Sequence, residues 1–368
     1  MVRRSSPAHA PFVVVALLSL CLLSCPGSSS AADLEAELAN MSPDQAYKYG
    51  NQLLASGQED QAIKVYKFIG DFHSEHETAP WALFLMARII GKRGEISDSI
   101  AQLEEIMAEY PNSPAVTRGD VPLLLTSYLI FHVSDYEAAK EIAKSALDKH
   151  SAEMGDRNRA QLVGRLALAY IKLGDNAAAE ELLTSQLPTC ARLLTSMAYY
   201  DYMAQIRIAK KDFDGALSIA RTGYALCNFN EVEIKQMANL VRRVFVAKGE
   251  FAKGTQFLAA QEDAEKPNPL KDVPMPTVAA ELKQQLLQAA GKDPALLCHV
   301  CLYTGDNETA LEHAMAYMAE ASAADAVRSL MEVARVFKAA DLNLVRANQF
   351  INYAKTGEGE NPLADGTL

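Results

Sequence analysis

The sequence repeats one local pattern, a turn residue followed five positions later by a small residue, at nearly constant intervals along most of its length. Successive turn residues are separated by 37, 40, 40, 37 and 38 residues, and then by 56. On both sides of each turn, apolar residues recur at helical spacing. Each unit therefore predicts two antiparallel helices that cross at the small residue, because a larger side chain there would push their axes apart. The turn residues are Gly57, Gly94, Ser134, Gly174, Lys211, Gly249 and Gly305, and the small residues are Ala62, Ser99, Ala139, Ala179, Ala216, Gly254 and Ala310.

Composition and charge agree with a helical protein and exclude one class of partner. Of the 368 residues, 49% are hydrophobic but only 7% are aromatic, and alanine and leucine occur in nearly every segment. This composition favours helices over strands. The formal net charge is -11 and no block of lysine or arginine stands out, so we do not expect a nucleic-acid binder.

Residues 1–32 have the features of an export signal and are left out of the fold. Arg3 and Arg4 precede an apolar run from Phe12 to Leu23, which suits the centre of a secretory signal and is short for a membrane span. Two processing sites stay open. Ser30-Ala31-Ala32 offers small residues for cleavage, whereas Leu22-Leu23-Ser24-Cys25 resembles a bacterial lipobox and would make Cys25 the lipidated residue. We therefore expect an exported protein, either in the periplasm or anchored to an envelope membrane.

The repeating units resemble tetratricopeptide repeats, whose 34-residue unit has the pattern W-x2-L-G-x2-Y, Gly, A-x3-F, Ala and Pro. The resemblance implies an all-α fold, a right-handed α-α superhelix of about seven to eight helical hairpins. The units here are a few residues longer, and several lack the tryptophan and proline of the family. The matching residues are Tyr49-Gly50, Leu53, Gly57, Ala62 and Tyr66; Leu83, Met86-Ala87, Gly94, Leu103 and Pro111; and Leu166-Ala167, Tyr170, Gly174, Ala179 and Leu183.

A proline-rich segment interrupts the array. Residues 33–263 form the first part of the predicted array, residues 264–276 a proline-rich linker, residues 277–357 the C-terminal helical repeats, and residues 358–368 a flexible tail. The linker has four prolines between Pro267 and Pro276, which prevent a helix and favour an extended chain. We interpret it as an exposed insertion loop; the alternative is a strap that lies across the groove or docks a neighbour.

We find no motif that carries catalysis, and we predict no metal, no cofactor and no enzyme activity. His73 and His76, with their neighbouring glutamates, are interpreted as a solvated helix end. In Cys298-His299-Val300-Cys301 we interpret Cys298 and Cys301 as buried thiols, because a structural zinc site would need a second pair. Cys190 and Cys227 are either buried thiols or a disulfide between neighbouring units.

The resemblance also implies a binding surface, because the first helix of each hairpin lines a concave groove in tetratricopeptide arrays. Asn51 matches one residue of the family's clamp for a C-terminal carboxylate, but Tyr47 stands where that clamp has lysine, so we do not predict the clamp. The positions that the resemblance assigns to the groove are Tyr47, Asn51, Phe84, Arg88, Leu124, Tyr128, His132, Gly164, Leu168, Asp201, Gln205, Asn239, Arg243, His299 and Tyr303.

The predicted function is a non-enzymatic scaffold of the bacterial envelope that binds a protein or peptide partner and is lipid-anchored if Cys25 is processed. One alternative is a soluble periplasmic assembly subunit. A second alternative, from a different class, is a thiol- or metal-dependent enzyme that uses Cys298 and Cys301. The oligomeric state stays open.

The repeat register makes one prediction about stability. Replacing Ala179→Trp, in the most regular unit, should disrupt the crossing of its two helices and lower the thermal unfolding temperature. A thermal melt followed by circular dichroism tests this, and an unchanged melting temperature would show that the register is wrong.

Overall fold

The structure is a computed structural model that describes residue 34, residues 37–261, residue 263 and residues 265–359. These residues contain eighteen α-helices and no β-strand. The predicted export signal with Cys25, and residues 360–368 of the predicted tail, lie outside them. The helices are α1 (Pro43–Ala55), α2 (Glu59–Phe72), α3 (Ala79–Lys92), α4 (Ile96–Glu109), α5 (Pro114–Thr117), α6 (Asp120–Tyr128), α7 (Tyr136–His150), α8 (Asp156–Lys172), α9 (Asn176–Gln186), α10 (Met197–Ala209), α11 (Phe213–Leu226), α12 (Glu231–Lys248), α13 (Phe251–Ala260), α14 (Ala280–Ala290), α15 (Pro294–Tyr303), α16 (Asn307–Glu320), α17 (Ala326–Asp341) and α18 (Val345–Thr356).

Most helices pair as consecutive hairpins, which confirms the predicted α-α solenoid. Eight pairs pack along their length, namely α1/α2, α3/α4, α6/α7, α8/α9, α10/α11, α12/α13, α15/α16 and α17/α18. All seven predicted turn residues have a positive φ, from 61° at Ser134 and Lys211 to 92° at Gly94. Leu342 closes the eighth hairpin in the same way, with a φ of 53°. The turn between paired helices therefore needs the left-handed conformation even where glycine is absent.

The small residues are buried where the paired helices cross. Ala62, Ala139, Ala179 and Ala216 are fully buried. Ser99 replaces alanine in the second hairpin, and its hydroxyl donates a hydrogen bond of 2.7 Å to the carbonyl oxygen of Ala87 on the facing helix. This bond satisfies a polar group that burial would otherwise penalise.

Acidic residues after the turns hold the start of the second helices. Asp135, Asp175, Asp212 and Asp306 are N-caps, each accepting a hydrogen bond from the backbone N–H three residues later. This contact satisfies one of the free N–H groups of the helix start and places negative charge at the positive end of the helix dipole.

Ion pairs connect neighbouring hairpins near these turns. A cation at the end of a first helix contacts a carboxylate near the start of the preceding second helix, as in Arg93 with Asp60 (2.7 Å) and Lys248 with Asp214 (2.8 Å). The acidic partners Asp60 and Asp214 are 84% exposed, so each pair stabilises the stack little.

The C-terminal hairpins fold back along the array instead of extending it from α13. Helices α14 and α15 pack against two short 3-10 segments, Leu187–Thr189 and Ala191–Thr195, which precede α10. Helices α15 and α17 also pack against α11. The fold-back makes α11 a shared element of the N-terminal array and the C-terminal hairpins.

The proline-rich segment is a strap against α11. The hydroxyl of Ser218 on α11 donates a hydrogen bond of 2.8 Å to the carbonyl oxygen of Pro274, and Thr222 contacts Met275. At the other end of the strap, the Asn268 amide donates to the carbonyl oxygen of Leu342 at 2.8 Å. This packing differs from the insertion loop that we favoured from the sequence, and the strap lies against a second helix rather than across the groove.

A buried charged cluster joins α17 to the C-terminal end of α11. The Arg335 guanidinium donates to the carbonyl oxygens of Leu226 and Cys227 and to both carboxylate oxygens of Glu332 (3.0 and 3.2 Å). The Lys338 ammonium donates to the same Cys227 carbonyl and lies 3.2 Å from the Cys227 Sγ. Cations at this helix end satisfy free carbonyls and complement the helix dipole.

This cluster predicts a specific pH dependence of stability. Burial lowers the pKa of Lys338 from 10.5 to about 8, with the Arg335 charge acting in the same direction. Between these values the unfolded chain binds more protons than the folded chain at this site, so the free energy of unfolding should rise with pH. Replacing Lys338→Met removes the titrating group. The difference in unfolding free energy between wild type and Lys338→Met, measured by urea denaturation at about pH 7.5, 8.5 and 9.5, should shift in favour of wild type as pH rises. Parallel pH profiles for the two proteins would contradict the buried position of Lys338.

Candidate functional site

The first helices of the six N-terminal hairpins, α1, α3, α6, α8, α10 and α12, carry the predicted groove positions, and their outer side is called here the first-helix face. Helices α6, α8, α10 and α12 pack side by side in this order. The groove positions predicted on them follow helical spacing, for example Asp201 and Gln205 on α10 and Asn239 and Arg243 on α12. Side chains at this spacing lie on the same side of each helix, so these positions share one surface.

At the N-terminal end of this face, some of the predicted groove residues make contacts within the protein. The Tyr66 hydroxyl donates a hydrogen bond of 2.8 Å to the Asn51 side-chain oxygen, and the Tyr47 and Tyr66 rings lie 6.2 Å apart. Burial raises the pKa of Tyr66 to about 12, so this donor keeps its proton across the physiological range. Arg88 on α3 is exposed.

The aromatic groove positions are more buried than a contact surface requires. Phe84 is 8% exposed and packs edge-on against Trp81, with ring centroids 6.0 Å apart. Tyr128 is 9% exposed, and its ring lies under the exposed His132 at 5.6 Å. Phe84 and Tyr128 therefore act mainly as packing residues between neighbouring hairpins, whereas Arg88 and His132 offer the surface.

The structure adds an exposed pair that the sequence did not reveal. Helix α6 ends in a π-helical turn, Leu129–Val133, that leaves Phe131 55% exposed. The guanidinium of Arg165 on α8 lies 4.6 Å from the centre of the Phe131 ring, and its Nε donates to the Ser127 hydroxyl at 3.1 Å. Burial lowers the pKa of Arg165 from its ordinary value. The π-helical turn shifts Phe131 around the helix axis, so regular helical spacing did not indicate it.

Helices α10 and α12 bring three predicted residues together. Gln205 donates a hydrogen bond of 2.9 Å to one Asp201 carboxylate oxygen, and Arg243 donates to the other. Arg243 is half exposed, and the neighbouring Asn239 is exposed. This group offers amide and guanidinium donors to a ligand that lies across the two helices.

Beyond this group, the first-helix face leads into a pocket of about 710 Å³, called here the arginine pocket. Its lining continues the stripes of the groove positions toward the N-terminal ends of α8, α10 and α12, and α17 adds one wall. The lining residues are Arg157, Ala160, Gln161, Arg192, Thr195, Ser196, Met197, Ala198, Glu233, Gln236 and Arg328. The sequence did not indicate this pocket, because Arg192 and Arg328 lie far apart in the chain and outside the first helices of the N-terminal array.

Two expected groove positions are corrected by the structure. His299 is 4% exposed, and its Nε2 lies 3.4 Å from Glu332 in the buried cluster against α17. Burial lowers its pKa, which keeps the imidazole neutral. Tyr303 on the same helix is half-buried beside Tyr199 on α10. Both residues belong to the contact between the C-terminal hairpins and the array, because the fold-back covers the face that would otherwise be open.

The cysteines of the described residues are buried free thiols, which answers the question of a disulfide between Cys190 and Cys227. Burial raises the pKa of Cys190, Cys298 and Cys301, and a thiol with a raised pKa is a poor nucleophile. Within the described residues, no three His, Cys, Asp or Glu side chains are placed to hold a metal ion, and no helix is long and apolar enough to cross a membrane.

No protein-family model and no curated protein matches the sequence. Among solved structures, the chain is similar to a tetratricopeptide repeat protein from Parabacteroides merdae, with a TM-score of 0.45, 11% identity, and coverage of 80% of this chain and 98% of that chain. It is also similar to the tetratricopeptide repeat domain of P58(IPK), with a TM-score of 0.28, 14% identity, and coverage of 88% and 96%. A third similar chain is from the Naa15/Naa10 complex bound to HypK-THB, with a TM-score of 0.34 and 15% identity; the match covers 88% of this chain and 54% of that chain. The chain is thus similar to tetratricopeptide repeat proteins.

Substitutions at two glycines of the first-helix face test the packing between neighbouring first helices. A Cβ on Gly91 would lie 2.1 Å from the Tyr128 hydroxyl, whereas a Cβ on Gly164 would meet nothing within 4 Å. Replacing Gly91→Ala should destabilise the protein by ~1–3 kcal/mol through overpacking. Replacing Gly164→Ala, the control, should stabilise it by ~0.5–1 kcal/mol because alanine favours the helix.

Urea denaturation of the single variants and of Gly91→Ala combined with Tyr128→Leu measures this effect. The cost of Gly91→Ala should shrink in the Tyr128→Leu background, because the clashing ring is gone. An equal cost in both backgrounds would contradict the contact between α3 and α6.

Proposed function

We propose that this protein is a non-enzymatic scaffold that binds an acidic peptide segment of a partner protein along the first-helix face. The observation that carries the proposal is the group of Asp201, Gln205, Asn239 and Arg243, in which the Asn239 and Arg243 side chains are exposed. A bound peptide needs donors and acceptors for its backbone, and amide side chains supply both. Guanidinium groups supply donors for its carboxylates.

The charge of this surface supports the acidic character of the peptide. The groove positions and the pocket lining include Arg88, Arg157, Arg192, Arg243 and Arg328, but only two carboxylates. One of these, Asp201, is already bound by Arg243, and the other, Glu233, accepts hydrogen bonds from Asn228. In a chain of formal charge -11, this local excess of arginine favours a negatively charged partner through complementary potentials.

The burial of the thiols supports a binding role over the enzyme alternative. Cys298 and Cys301 are 0% and 1% exposed, so a substrate would have to enter the packed core to reach either sulfur. The side chains of Arg88, Asn239 and Arg243 on the first-helix face are open to solvent instead.

The proposed location is the bacterial envelope, reached through the N-terminal export signal. The apolar run from Phe12 to Leu23 after Arg3 and Arg4 supports export, and the lipobox-like Leu22-Leu23-Ser24-Cys25 supports an anchor at Cys25. A bacterial lipoprotein carries several acyl chains, and more than one chain is needed for a firm anchor. The soluble periplasmic assembly subunit remains the alternative if cleavage follows Ala32.

A partner capture experiment tests the binding surface. The chain from Asp33 serves as bait for detergent-solubilised envelope of the source cells. Three baits are compared, namely wild type, the double variant Arg88→Glu with Arg243→Glu, and the control Arg242→Glu. Each substitution changes the charge at its position by the same amount. Arg242 is exposed on α12 but packs beside Gly254 of α13, away from the first-helix face. Wild type and Arg242→Glu should retain a specific partner that the double variant loses, because reversed charges repel an acidic peptide.

Cross-linking mass spectrometry from a photoreactive residue at position 239 should place an acidic segment of the partner on the first-helix face. A partner that all three baits retain equally would contradict binding at the first-helix face. The second helices or the proline-rich strap would then be the candidate binding surface.

A further inference from the structure

The arginine pocket lies where the N-terminal array and the C-terminal hairpins meet. Three guanidinium groups reach it from three separate elements, Arg157 from α8, Arg192 from the 3-10 segment before α10, and Arg328 from α17. Gln161 and Gln236 add neutral amides from α8 and α12. Positive groups from parts of the chain that are distant in sequence thus converge on one cavity of about 710 Å³.

The carboxylates near the pocket leave part of this positive charge uncompensated. Asp293 at the start of α15 is shared by two arginines, at 2.8 Å from Arg192 and 3.9 Å from Arg328. Glu233, whose two oxygens accept hydrogen bonds from the neutral Asn228 amide, offsets one further charge, so two carboxylates face three guanidinium groups. The exposed Arg157 makes no hydrogen bond or ion pair to another described residue, and the Nε of Arg192 is buried without an acceptor. The pocket therefore offers guanidinium donors to a bound anion.

The backbone adds to the positive electrostatic potential of the arginine pocket. The pocket includes Ser196, Met197 and Ala198, the first residues of α10. Ser196 is the N-cap of this helix, but its side chain makes no capping hydrogen bond. The positive end of the α10 dipole therefore faces the same cavity as the three arginines.

We infer that the arginine pocket binds the oxygens of a multivalent anion, carboxylate or phosphate, with Arg157 and Arg328 as direct donors. Arg192 is held by Asp293 and acts beside them as a fixed charge. The inference rests on the proposed function for one source of the anion, an acidic segment of the peptide that lies on the first-helix face and ends in the pocket. The other source is a free small anion, which would need no peptide.

Isothermal titration calorimetry at low ionic strength tests the inference, because salt screens partly exposed charges. The probes are citrate, inorganic phosphate and a hexaglutamate peptide with both termini blocked. The proteins are the chain from Asp33 as wild type, Arg157→Glu with Arg328→Glu, and Arg242→Glu as the control outside the pocket. Circular dichroism and thermal melts check that each variant folds. A second double variant, Arg157→Gln with Arg328→Gln, removes the charges without reversing them.

Binding of at least one probe to wild type and Arg242→Glu, weakened about tenfold or more by both pocket variants, is the expected result. Citrate or phosphate binding as tight as the peptide identifies a free anion as the ligand. Binding of the peptide alone, weakened also by Arg88→Glu with Arg243→Glu, identifies the partner peptide. The inference is overturned if no probe binds at about millimolar concentration, if the pocket variants bind within about twofold of wild type, or if Arg242→Glu loses as much affinity.

The two proposals fail separately. A partner that is lost with Arg88→Glu and Arg243→Glu but retained by both pocket variants would leave the first-helix scaffold in place and remove the anion pocket. Anion binding in the pocket without any captured partner would support the anion pocket and remove the first-helix scaffold.

Discussion

The close crossing of paired helices is the constraint on which the structure depends. In each hairpin, a turn residue with a positive φ reverses the chain, and a small buried residue five positions later lets the two helices touch. Ser134 and Lys211 adopt this conformation without being glycine, so the local strain is outweighed by the packing that the turn makes possible. Because the second helices carry the crossing residue, the first helices are free to vary on their opposite side. That side is the surface on which the candidate site lies.

The second constraint is the contact between α11 and α17. Arg335 and Lys338 satisfy carbonyl oxygens at the end of α11, and Glu332 balances their charge within the same buried cluster. Although burial opposes it, the neighbouring Arg335 charge holds the pKa of Glu332 well below its usual range. Losing one member would leave the others buried and unpaired, which is costly. The fold-back of the C-terminal hairpins therefore has a defined geometry, and this geometry places Arg328 and Asp293 at the arginine pocket.

The candidate site thus has two parts of different origin. The group around Asp201 and Arg243 follows from helical spacing on two neighbouring first helices. The arginine pocket exists because α17 closes the end of the same face. The hypothesis of an acidic ligand joins both parts, since guanidinium groups recur along the face while the chain as a whole is acidic.

The sequence by itself determined the hairpins, because turn chemistry and helical periodicity are local properties that each unit repeats. It located all seven turns and their small partners, and it placed Asp201, Gln205, Asn239 and Arg243 on helix faces that the structure brings together. It placed His299 on the groove wrongly, since the same local pattern also fits a helix whose face is covered by a later part of the chain. Only the tertiary structure determines that the C-terminal hairpins cover His299, that the proline-rich strap lies along α11, and that Arg157, Arg192 and Arg328 meet at one pocket. The physical reason is that the contact between α11 and α17 pairs residues more than one hundred positions apart, through carbonyl groups that every helix end possesses.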